Sequence, residues 1–146
     1  MEFIFLSELF YKDYPHELYP QMELKPSRPY TQVYTKIGDY IFAIPLRSHI
    51  YHPHVLWTDK EKHCGVDFSK AIIILKGEYI DASASPHIRQ NEFESLRGKE
   101  YIIKQKMIRY IHKYQYAKLN LSNPRNKYLC EFSTMQYFEE YIKNIK

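Results

Sequence analysis

At 146 residues the chain suits one domain, long enough to bury a core without metals or disulfides and too short for a second independent one. It carries 21 Lys or Arg against 17 Asp or Glu, a net charge of +4. Its two distant cysteines, Cys64 and Cys130, form no metal-ligand pair and fit free thiols in a reducing compartment. No apolar run approaches membrane-spanning length, and the start, Met1 to Leu6, lacks a basic n-region, so the expectation is a cytoplasmic protein with no membrane contact.

Residues 2 to 6 predict a first strand, after which Ser7 caps a short helix that must end before Pro15. The stretch from Tyr14 to Ser27 holds Pro15, Pro20 and Pro26 without a sustained period and reads as a surface loop. Thr31 to Ile37, the turn pair Gly38 and Asp39, and Tyr40 to Leu46 form the strongest hairpin in the sequence. Pro45, which supplies no ladder donor, points to a sheet edge or a strand end. From His49 to Phe68 the pattern is weak and rich in histidine, so a long functional connection is expected.

Lys70 to Leu75 reads as a buried strand, Gly77 breaks it, and Glu78 to Ile80 forms a short strand before a loop at Ala82 to Pro86. Asn91 and Glu94 have capping-box spacing for a short helix that stops at Gly98. A long helix follows from about Lys99 to Leu119, with Ile103, Met107, Tyr110, Tyr114 and Ala117 as its buried stripe. Lys106, Arg109 and Lys113 share another face. Asn123 to Asn126 predicts a turn and Tyr128 to Phe132 a last strand. Ser133 with Gln136 caps a final helix that is apolar at Met135, Phe138, Ile142 and Ile145. The fold class is therefore α+β, strands first and helices late.

The charge is uneven: residues 99 to 146 hold 10 Lys or Arg against 4 Asp or Glu. A basic helical end suits a polyanion, and equally a solvated surface. The 15 tyrosines suit a core with hydroxyls at its rim, or stacking on bases where they are exposed.

Arg28, Pro29 and Tyr30, the hairpin, Ile44-Pro45-Leu46-Arg47-Ser48-His49, and then Gly65-Val66-Asp67-Phe68-Ser69-Lys70-Ala71-Ile72 together resemble the toxins of type III toxin–antitoxin systems. The likeness is to the ToxN/AbiQ superfamily and especially its TenpN and CptN-like branches, and the order of elements agrees over nearly the whole chain. The resemblance implies a compact SH3-like β barrel, similar to MazF and Kid, with helices packed on it. It also implies a metal-independent endoribonuclease without cofactor, acting on cellular RNA. A small repeat-encoded RNA antitoxin would be cut from its precursor and bound in a closed protein–RNA assembly. On that resemblance the family's serine falls on Ser48, Arg47 stands where the better-known branch has threonine, and the basic residue before the hairpin falls near Arg28.

Metal-free RNA cleavage uses the substrate's 2′-hydroxyl as nucleophile and leaves 2′,3′-cyclic phosphate and 5′-hydroxyl ends. Arg28 and Arg47 suit the non-bridging phosphate oxygens, Ser48 orients the phosphate, and His49 is the best proton carrier, with His52, His54 and Tyr30 behind it. Lys106, Arg109, Lys113, Lys118, Arg125 and Lys127 offer phosphate contacts, with His52, His54 and Trp57 as further RNA-binding candidates. The histidine loop lacks the additional ligand that a familiar metal site would need. The same residues also fit a non-catalytic RNA-binding module, and the tyrosines a protein-interaction domain.

Overall fold

The computed structural model describes residues 1–23 and 30–146. Ser7 accepts the Phe10 amide through its side chain and so starts α1 (Glu8–Asp13), right after β1 (Glu2–Ile4). The predicted hairpin forms as β2 (Gln32–Ile37) and β3 (Tyr40–Arg47), and Gly38, at φ 60, takes the left-handed turn position. Four more elements complete the sheet region: β4 (Val55–Asp59), β5 (Cys64–Asp67), a 3-10 turn (Phe68–Lys70) and β6 (Ile72–Ile74).

All pairings are antiparallel, in the order β1-β2-β3-β5-β4, with β6 also on β3. The expected closed barrel is not seen: the six strands form an open sheet. One edge of β3 faces β2 from Tyr40 to Pro45, whereas the other pairs first with β6 at Ile41–Ala43 and then with β5 at Leu46 and Arg47. Pro45 is buried within this central strand, not at an edge. The Leu46 amide donates toward Thr31 on the β2 side, so ladder alternation turns the Pro45 nitrogen to the opposite side, into the gap between β6 and β5 where no donor is needed.

The stretch expected as a loop, His49 to Phe68, contains the β4–β5 hairpin. Gly65 explains how it closes: a Cβ there would lie 2.4 Å from the Leu56 carbonyl oxygen and 2.8 Å from Val55 Cγ2, so only glycine lets β4 approach. The short strand expected at Glu78–Ile80 is instead a 3-10 turn (Gly77–Tyr79), and Ile80 keeps a single bridge to Leu6.

Helix α2 (Gln90–Leu96) starts at Arg89 without a side-chain cap, so the expected capping box does not form; Gln90 bonds Glu94 one turn along instead. Gly98, at φ 73, ends that segment. The long helix is α3 (Glu100–Lys118), and its whole predicted stripe is buried together with Ile111. Each large apolar side chain so buried contributes about 1.5–3 kcal/mol, and together they join Val33, Phe42, Ile44 and Ile73 in one core. The last predicted strand is helical: Asn123 caps the Arg125 amide at 2.9 Å and Pro124 opens α4 (Pro124–Phe132). Ser133 then caps a 3-10 turn (Thr134–Tyr137), followed by α5 (Glu139–Ile142).

Candidate functional site

Asp67, wholly buried at the end of β5, organises the polar centre. It receives Arg47 Nη1, the Ser69 hydroxyl at 2.6 Å and the Ser69 amide at 3.0 Å, and it lies 3.1 Å from His52 Nε2. His52 Nδ1 accepts the His54 amide at 3.0 Å, which leaves the ring proton on Nε2, toward Asp67 and Ser69. Burial pushes the Asp67 carboxyl up, but the His52 and Ser69 hydrogen bonds and the Arg47 charge outweigh it and leave it below its usual range. Glu23 takes Arg47 Nη2 at 3.1 Å. The Tyr30 phenol, raised by burial and by Glu23, hydrogen-bonds to the same Arg47–Glu23 pair.

A cleft of about 230 Å³ opens beside Arg47 at the end of β3, lined by Tyr30, Thr31, Leu46, Ser48, Cys64, His87, Ile88, Arg89 and Glu92. Residues separated by more than forty positions thus meet around Ser48, and the predicted Tyr30, Arg47 and Ser48 share one wall. Left-handed backbone at His49, φ 59, accompanies a contact of 3.0 Å between its Nδ1 and Ser48 Oγ. His49 is exposed beside the cleft. Two functional candidates escaped the sequence reading: His87 and Arg89 arrive from the loop before α2, which reads only as a small polar connection. Arg28 lies outside the described residues.

A second cleft, of about 200 Å³, lies between the Pro53–Val55 segment and α3, with Phe68 and Tyr110 at its floor and Lys106, Arg109 and Lys113 on its helical wall. His54 lines it, its ring 5.4 Å from that of His52 and 5.3 Å from Tyr110. Burial, then the neighbouring Lys113 and His52 charges, push the His54 imidazole down to about 4 against the weaker pull of Asp67. The structure therefore brings His54 to three of the predicted phosphate-binding cations.

The other RNA-binding candidates are scattered. His52 has both ring nitrogens engaged inside the Asp67 network. Trp57 packs in an aromatic group with His63, itself 4.4 Å from exposed Tyr51, and lines neither cleft. Lys118 pairs with Glu139 at 3.3 Å, while Arg125 and Lys127 are exposed on α4. Among the described residues no three His, Cys, Asp or Glu side chains converge as metal ligands. No helix among them is long and apolar enough to cross a membrane.

No protein-family model, curated protein or solved structure matches the chain.

Proposed function

We propose that the chain is a metal-independent endoribonuclease of the type III toxin kind, cutting RNA in the cleft at the end of β3. The observation that carries this reading is the meeting of Ser48, bonded to His49, with His87 and two arginines in one cleft. Transesterification needs a base to take the 2′-hydroxyl proton as that oxygen attacks phosphorus, and an acid to protonate the 5′-oxygen as its bond to phosphorus breaks. We assign those transfers to His87, which lines the cleft, and to His49, which stands beside it in contact with Ser48. Ser48 directs a hydrogen bond to the phosphate. Arg89 meets the charge growing on its oxygens, while Arg47, held by Asp67 and Glu23, positions the wall.

A kinship of this open sheet with the MazF- or Kid-like SH3 fold belongs to the same proposal; β3 serves two half-sheets as a strand does at the corner of a small barrel. So do the partners: a folded antitoxin RNA encoded in repeats beside the gene, and a closed protein–RNA assembly. The test is induction of the chain alone, followed by end analysis of cellular RNA and cleavage by the purified protein. Growth arrest and fragments bearing 2′,3′-cyclic phosphates are expected; His49→Ala should slow cleavage by about 10²–10⁴-fold and Ser48→Ala by about 10²–10³-fold. Intact RNA in the presence of folded protein rejects the reading, as does cleavage that both variants retain in full.

A further inference from the structure

Lys106, Arg109 and Lys113 line one cleft that has no acidic side chain among its lining residues, and none of the three has a carboxylate within ion-pair distance among the described residues. They stand on successive turns of α3, and the seven helical steps from Lys106 to Lys113 rise about 10 Å, the reach of two to three consecutive phosphates on one strand. Across from them the cleft is lined by His54 between the apolar Pro53 and Val55. At about 200 Å³ the cleft is smaller than the about 300–1,000 Å³ pockets that enclose whole drug-sized ligands. A phosphate with its sugar fits that space, while the bases remain outside.

We propose that this cleft binds the uncut phosphates of a single RNA strand, blind to base sequence, and so holds the strand whose scissile phosphate lies beside Ser48. The two clefts are linked by direct contacts: Arg47 to Asp67, Asp67 to His52, and His52 to the His54 amide. The proposal deepens the nuclease reading and takes from it only the source of the phosphate.

The test uses fluorescence anisotropy with a short labelled single strand carrying 2′-O-methyl sugars, which binds but offers no nucleophile. Each phosphate contact on a single strand adds about 0.7 to the slope of log affinity against log salt. The variant Lys106→Gln/Arg109→Gln/Lys113→Gln should therefore flatten that slope by about 1.5 to 2 and weaken binding equally for strands of different sequence. A matched control, Lys12→Gln/Lys36→Gln/Lys143→Gln, should leave it as in the wild type. A wild-type slope in the first variant overturns the proposal, as does a loss confined to one base sequence.

Imidazole NMR of the unaltered protein supplies a readout independent of folding in the variants. The strand should shift the His54 resonances at concentrations where inorganic phosphate does not. A shift with inorganic phosphate alone overturns RNA as the ligand, and no shift with either overturns the site. Wild-type binding of this kind without any cutting defeats the nuclease reading but leaves the site standing; cutting with an unaltered slope in the first variant does the reverse.

Discussion

The two clefts use positive charge in opposite ways. At the end of β3 each arginine faces carboxylate: Arg47 meets Asp67 and Glu23, and Arg89 lies 3.5 Å from Glu92. Against α3, three cations share a wall with no acidic side chain among its lining residues. Paired guanidinium groups hold side chains in place and act on a group in direct contact, whereas unpaired cations draw a polyanion in from a distance. Geometry is thus concentrated in one cleft and attraction in the other.

Breaking the paired side should have the largest effect on stability. Asp67→Ala takes one of two carboxylates from Arg47, the carboxylate from His52 and both contacts from Ser69, so urea unfolding should show a loss of about 3–5 kcal/mol. At temperatures where the variant remains folded, the salt slope of RNA binding should persist; its disappearance would show that the clefts are not separable. Gly65→Ala comes next. Its methyl group meets the Leu56 backbone, which predicts about 1–3 kcal/mol of destabilisation by the same measurement and slower cutting as β4 and β5 part.

The smallest effect sharpens the unpaired side. His54 has its proton affinity lowered from 6.5 to about 4 in the fold, so the unfolded chain binds more protons between those values. Stability should fall as pH drops through that window and level off below it, by on the order of 1 kcal/mol once solvent screening of a half-buried ring is allowed for. His54→Asn should flatten that part of the thermal-melting profile. An unchanged acid limb would place the cause at another group.

Local rules carried the elements whose signals are strong. The Gly38 hairpin, the Ser7 cap and the periodicity of α3 all concern residues within a few positions of one another, and each appears in the fold. The β4–β5 hairpin escaped because its strands are short and its decisive residue, Gly65, acts through a contact with Leu56 that no spacing announces. Asn123-Pro124 was legible as a cap followed by proline at the first helical position, but it reads as a turn when the helix behind it has a weak pattern. At the candidate site, Tyr30, Arg47 and Ser48 were found because a hairpin joins them. His87 and Arg89 were not, since only the packing of α2 against β4, seen in the Ser95 bond to Thr58, brings their loop over the cleft.

The divided edge of β3 has a consequence for how this protein can vary. A slip of one residue along that strand would reverse which side chains face inward and would misalign β2, β6 and β5 together, so Arg47 and Ser48 are locked in place by three neighbours at once. Insertions or deletions between Gln32 and Arg47 should therefore be nearly absent among functional descendants of this chain, while the lengths of the Ala82–Pro86 and Leu119–Asn123 connections are free to drift.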